Sequence, residues 1–213
     1  LDEQRPSATP RRLTAKGAAT RQRIVDAAAD LFYMQGVEVT SIEDVIDASG
    51  TGKSQIYHYF GPKPKTELVE AVVDYEIERV LGEQGRLLDN FQTMRGLERW
   101  RDSVVASVRG PRGAHGCPIG SLASELADRS ENARMKLDQA FTMWEQWFRA
   151  GLARMQEAGE LKQDADVDAL AVGLMAAVQG GYLLSQTKRD GRAMAMALDM
   201  ALDSVRGALT PHP

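Results

Sequence analysis

The chain has 213 residues, 43% hydrophobic and 26% charged, an ordinary globular composition with room for one large or two small domains. One cysteine, Cys117, excludes an internal disulfide, and no apolar run approaches the roughly 18 residues of a membrane span. The net charge of −4 is uneven, +1 over residues 1–65 and −5 over residues 66–213, so the N-terminal part is the side expected to meet a polyanion.

Residues 1–17 combine Pro6, Pro10 and Gly17 with Arg11, Arg12 and Lys16 and few apolar side chains. They read as a flexible basic arm, either a solvated tail or an arm lying along phosphates or in a minor groove. No apolar h-region precedes it, so no signal peptide or membrane partner is expected, and the compartment is expected to be the cytoplasm. From Thr20 the chain reads as helix almost throughout. Ile24, Ala27, Ala28, Leu31 and Phe32 share one helical face, and Gly36 closes that helix. Thr40 or Ser41, with Glu43 or Asp44 three residues on, offers a capping box for a short second helix through Ile42, Val45 and Ile46. Gly50 ends it, and a third helix runs over about 52–60. Pro62 and Pro64 mark a break before a long fourth helix from about Thr66.

Further helices are expected over about 97–108, 119–127 and 167–187, and from Arg192 to Leu209. Another carries Leu137, Phe141, Trp144, Phe148, Leu152 and Met155 on one face and stops at Gly159. No strand alternation or internal repeat is found, and the fold class is all-α. The expected division is an arm over 1–17, a DNA-binding domain over 18–65, and an effector-binding and dimerisation domain over 66–213.

The stretch "ASGTGKSQIYHYF" (48–60) supports two chemistries. Gly52-Lys53-Ser54 matches the end of a P-loop, which would make the protein a nucleotide binder. The motif G-x-x-x-x-G-K-[ST] needs glycine at the position of Asp47, however, and a strand where the spacing here is helical. The other reading is a helix-turn-helix, with Gly50 in its tight turn. Ile56 and Phe60 then pack inward, while Lys53, Gln55, Tyr57 and His58 face out. Lysine can reach a guanine edge or a phosphate, glutamine can pair with adenine, and Tyr and His can donate to phosphates. Lys63 would add its charge to the next helix N-terminus. The same spacing also suits a solvated helix of a bundle, which would make the chain a helical interaction module.

Residues 18–68 resemble the DNA-binding domain of the tetracycline-repressor (TetR) family of bacterial regulators. The resemblance rests on "TRQRIVDAAADLFYMQGVEVTSIEDVI" and "SGTGKSQIYHYFGPK", where Gly36, Thr40, Ser41, Ile42, Ile56, Tyr57, Tyr59, Phe60 and Lys63 match the family pattern. It implies that Thr40 and Ser41 touch phosphate, that Lys53, Ser54 and Gln55 approach base edges, and that Tyr57, His58 and Lys63 contact the DNA backbone. Three departures stand out. Thr51 replaces an apolar turn residue, Gly52 replaces a Ser or Thr cap, and "GPKPKTEL" is two residues longer than the usual link, setting Lys65 against Lys63 for the phosphate.

The family resemblance implies a C-terminal effector and dimerisation domain. "GCPIGSLASELAD" and "FTMWEQWFRAGLARMQEAGEL" resemble the LmrA/YxaF-like branch, which implies release from operator DNA by planar aromatic or drug-like molecules. Tyr75, Trp100, Cys117, Met143, Trp144, Trp147, Phe148, Met175, Gln179 and Tyr182 form the candidate ligand set, with plain core as the alternative for each. Gln179 either orients a ligand or bonds across a subunit interface. Leu170, Leu174, Gly180, Gly181, Leu183, Met194, Leu198, Leu202 and Val205 are expected to form a four-helix dimer interface with a second chain, the small residues at 180–181 permitting close approach, or else to close a monomeric bundle. Cys117 precedes a helix start, where a thiol pKa can fall, so a redox role stands beside simple packing. Neither a catalytic triad nor metal-ligand spacing is present, and no enzyme activity, metal or cofactor is expected. The function expected is that of a homodimeric, effector-released transcriptional repressor on a palindromic operator.

Overall fold

A computed structural model describes residues 13–110 and 116–211, and these residues form nine helices. They are α1 (Ala15–Gln35), α2 (Ile42–Ser49), α3 (Lys53–Phe60), α4 (Pro64–Leu88), α5 (Met94–Arg109), α6 (Pro118–Leu126), α7 (Glu131–Glu157), α8 (Val167–Lys188) and α9 (Arg192–Gly207). The only β feature among the described residues is an isolated bridge between Leu161 and Leu209. The all-α expectation holds. Most of the predicted arm lies outside the described residues, but its last part is helical. Thr14 caps α1 by accepting from the Gly17 N–H, so the helix starts five residues before Thr20.

Helices α1 to α3 make a small head. Ile24, Val25, Ala28 and Phe32 of α1 are buried with Val45, Ile56 and Phe60. Gly50 adopts the left-handed conformation (φ 62°, ψ 34°), and its N–H bonds back to the end of α2. Gly50, Thr51 and Gly52 alone separate α2 from α3, the tight turn of a helix-turn-helix. α4 begins at Pro64 rather than near Thr66. Proline at the first helical position lacks only an N–H that would be unbonded anyway, so the two extra residues of the link are absorbed into the helix.

α4 leaves the head and runs into the second bundle, packing on α5, α6 and α7. Trp100 and Phe148 meet edge to face at 4.8 Å in its centre, and the Trp100 indole donates to Gln84 Oε1 at 2.8 Å. α8 and α9 form the most extensive helix pair. Leu174, Met194, Leu198, Leu202 and Val205 are fully buried within this single chain. A Cβ on Gly181 would fall 2.6 Å from Met194 Sδ, so that glycine lets α8 and α9 touch. These residues, with the half-buried Leu170, were expected at a subunit interface. They close the chain's own bundle instead, because two adjacent helices must first bury their facing stripes on each other.

Candidate nucleic-acid interface and effector cavity

On α3, Ile56 and Phe60 are buried, while Lys53, Ser54, Gln55, Tyr57 and His58 are exposed on the outer face. The helix spacing sorts them this way: Ile56 and Phe60 lie one turn apart on the inner stripe. The turn before α3 uses up its own polar groups. Thr51 N–H bonds to Ile46 O at 3.2 Å, and the buried hydroxyls of Ser49 and Thr51 are 2.7 Å apart. Gly52 N–H donates to Gln55 Oε1 at 3.0 Å, half of a capping box in which glycine has no side chain to return the bond. With those donors committed and a helix rather than a strand before Gly50, there is no phosphate cradle here, and the nucleotide-binding alternative is discarded.

The start of α2 differs from expectation. The Thr40 side chain is buried, donating to Gly36 O at 2.7 Å and accepting from Gln35, so its hydroxyl is not offered to a phosphate. Ser41 is exposed, but its hydroxyl bonds the Asp44 carboxylate and accepts the Asp44 N–H in a full capping box. The backbone N–H and hydroxyl of Ser41 hold the Asp44 carboxyl below its usual range, which keeps a negative charge beside this helix start. The two lysines after α3 also separate in role. Lys65 is tied to the carbonyls of Val37 (2.6 Å) and Thr40 and lies 4.9 Å over the Phe32 ring; burial lowers its pKa, against the nearby carboxylates of Asp44 and Glu125. Lys65 therefore clamps the α1–α2 turn, and Lys63, exposed at the cap of α4, is the lysine left facing out.

Beneath the head lies a cavity of about 830 Å³. Its walls come from α1 (Asp30, Tyr33, Met34), α4 (Tyr75 to Gln84), the end of α5, the start of α6, Trp144 of α7 and Tyr182 of α8. Four residues of the candidate ligand set line it: Tyr75, Cys117, Trp144 and Tyr182. The other six do not. Trp100 and Phe148 are core, Met143 is exposed on α7, and Trp147 packs on Gly85 of α4. Met175 is buried on α8, and Gln179 reaches the Cys117 and Met175 sulfurs at 3.8 and 3.9 Å rather than the open volume. A long helical face gives no sign of which turn borders a void, so this sorting was beyond periodicity.

The charged and polar lining was missed. Arg79 bonds Glu76 at 2.7 Å and Glu83 at 3.3 Å, and the Tyr33 hydroxyl donates to Gly116 O at 2.8 Å. Burial, above all, raises the Tyr33 pKa and pushes Tyr182 up to about 12, so both remain neutral hydroxyls at physiological pH. Burial also pushes the Cys117 thiol up, opposite to the fall expected at a helix start. Desolvation outweighs the hydrogen bonds there, so Cys117 is a packed thiol and not a redox-poised thiolate. The Trp144 indole N–H is buried without a partner among the described residues. No metal-binding cluster of His, Cys, Asp or Glu occurs among the described residues.

The α6 helix links this cavity to the head. Its start lines the void, and near its other end Glu125 accepts the Val37 N–H at 2.8 Å, at the α1–α2 turn that Lys65 clamps. An ion pair between Arg129 and Glu38 reinforces the same junction.

Comparison with known proteins agrees with this architecture. Residues 24–72 match the model of bacterial regulatory proteins of the tetR family, and residues 93–201 match the tetracyclin repressor-like C-terminal domain. The chain is 27% identical over 181 residues to YxaF of Bacillus subtilis, an uncharacterized HTH-type transcriptional regulator, covering 84% of this chain and 90% of that one. It is 25% identical over 197 residues to DhaR of Mycobacterium sp., an HTH-type transcriptional repressor, covering 90% and 92%. The crystal structure of a TetR transcriptional regulator from Chloroflexus aurantiacus superposes with a TM-score of 0.81 at 25% identity, over 92% of this chain and 98% of that one. The helix-turn-helix head, the helical second domain and these matches together place the chain in the TetR family of DNA-binding transcriptional regulators, which are not enzymes.

Proposed function

We propose that the protein is a homodimeric repressor that binds a palindromic operator and is released when an aromatic or drug-like molecule enters the α1/α4 cavity. The observation that carries this reading is the shared wall. α1 belongs to the head and also lines the cavity, while α6 runs from the cavity to the α1–α2 turn. An occupant pressing on Tyr33 or on the start of α6 therefore acts on the elements that orient α3. Occupancy favours the released state only in so far as the effector binds that state better; a tenfold loss of operator affinity needs about 1.4 kcal/mol of such preference.

On the DNA side, Lys53 and Ser54 are the groups proposed to meet base edges. Gln55 joins them if its amide leaves the Gly52 cap. Tyr57, His58 and Lys63 are proposed to hold the phosphate backbone. Two such heads would read half-sites about 34 Å apart, one turn of DNA, or a related spacing. The dimer face proposed keeps Gly180 and Leu183 of the set read from the sequence and otherwise turns to the side opposite the buried stripe. Val172, Leu183 and Leu184 on α8 and Met196 and Met200 on α9 are exposed apolar residues, and a Cβ on Gly173 or Gly180 would meet open space. α8 is long and apolar enough to cross a membrane by composition alone, yet most of its apolar length is not buried within the single chain. A two-fold four-helix interface would cover that surface.

The test is equilibrium binding to DNA upstream of the protein's own gene. Specific, salt-sensitive binding is expected, weakened at least about tenfold by Lys53→Ala with Tyr57→Ala, in line with a lost base contact and a lost phosphate contact. Binding unaffected by that double substitution would overturn the assignment of α3 as the reading helix.

A further inference from the structure

Building on the effector reading of the α1/α4 cavity, we propose that its occupant is an aromatic cation. Among the described lining residues three carboxylates, Asp30, Glu76 and Glu83, stand against one guanidinium, Arg79. That guanidinium is already committed. Its Nε and Nη2 lie 2.9 and 2.7 Å from Glu76 Oε2, and its Nη1 lies 3.3 Å from Glu83 Oε1. Asp30 has no ion pair among the described residues, so the described part of the lining keeps an uncompensated negative charge.

The buried Glu76 carboxyl registers that field. Burial first raises the Glu76 pKa, and the carboxylates of Asp30 and Glu83 raise it further against the pull of Arg79. An anionic ligand would have to displace Glu76 from Arg79 and face the remaining carboxylates, whereas a cation meets them directly. The rings of Tyr33, Tyr75, Tyr182 and Trp144 also line the void and favour a flat cation. Asp30 and Glu83 are exposed and sit toward solvent, so screening limits the preference to about tenfold rather than thousands.

The experiment compares three molecules of one ring system, 10-methylacridinium, neutral acridine and acridine-9-carboxylate. Each is titrated into the full chain without DNA at mildly alkaline pH, with tryptophan fluorescence quenching as the readout. The cation is expected to bind about tenfold more tightly than acridine, and the carboxylate most weakly. Asp30→Asn with Glu83→Gln is expected to bring the cation to the level of acridine while acridine itself changes less than about twofold. Far-UV circular dichroism checks the fold, and the two single substitutions serve if the double variant unfolds. Equal binding of cation and acridine, tighter binding of the carboxylate, or a cation preference undiminished in the variants would overturn this inference and leave the effector site standing. Binding by none of the three would overturn both.

Discussion

Ser49 and Thr51 show how a departure from the family pattern is accommodated in one turn. An apolar residue would fill the space of Thr51 without needing a partner. Here the hydroxyl is buried, and it is satisfied by Ser49, whose own hydroxyl also lies 3.3 Å from Ile46 O. The two substitutions are therefore unequal. Thr51→Val removes one bond and leaves Ser49 able to donate to Ile46 O, whereas Ser49→Ala strands a buried threonine hydroxyl. Urea denaturation is expected to show Ser49→Ala costing about 1–3 kcal/mol and Thr51→Val under about 1 kcal/mol. Equal losses would mean that the pair does not act as a unit. Gly52 is a different accommodation: it has no hydroxyl to cap α3, and the half of the capping box that remains is its own N–H donating to Gln55 Oε1, on a side chain also proposed to read DNA.

Among the elements, α6 has the most consequence for its length. Nine residues join the cavity lining at Cys117 and Pro118 to the head at Glu125. Glu125→Ala removes a charged acceptor from the Val37 N–H and leaves that part-buried donor to find water. The expected cost is about 1.5–3 kcal/mol in thermal or urea unfolding, the range for a hydrogen bond to a charged group. If α6 carries the signal, the same variant also reduces the shift in operator affinity caused by an effector. A variant that loses stability but keeps the full shift would show α6 to be a strut and not a link. A helix over about 119–127 was legible in the sequence, but its partners at both ends, Tyr33 and Val37, lie more than 60 residues away, beyond any local pattern.

At the scale of the molecule, the outward stripes of α8 and α9 bear on assembly. Met200 is 71% exposed and Leu183 63%, and a chain that kept them in water would carry a broad apolar patch. Leu183→Glu with Met200→Glu is expected to leave the single-chain fold intact, since neither side chain is in its core, and to give monomers in analytical ultracentrifugation. Operator affinity should fall by at least about tenfold as the second half-site is lost. A variant that still sediments as a dimer would move the interface elsewhere.

The sequence by itself determined the helical class, the helix-turn-helix with its glycine turn, the inward pair Ile56 and Phe60, and the outward character of Lys53, Gln55, Tyr57 and His58. All of these follow from residues within about a dozen positions of one another, where the helical period and the turn glycine act directly. Only the tertiary structure decided that Thr40 is buried and Lys65 is a clamp. It alone distinguished Trp144 and Tyr182, which border the cavity, from Trp100 and Phe148, which fill the core. It also showed that the most regular stripes of α8 and α9 are spent inside the chain. The physical reason is that helical spacing fixes which residues share a face, while what that face meets is set by packing between segments distant in sequence.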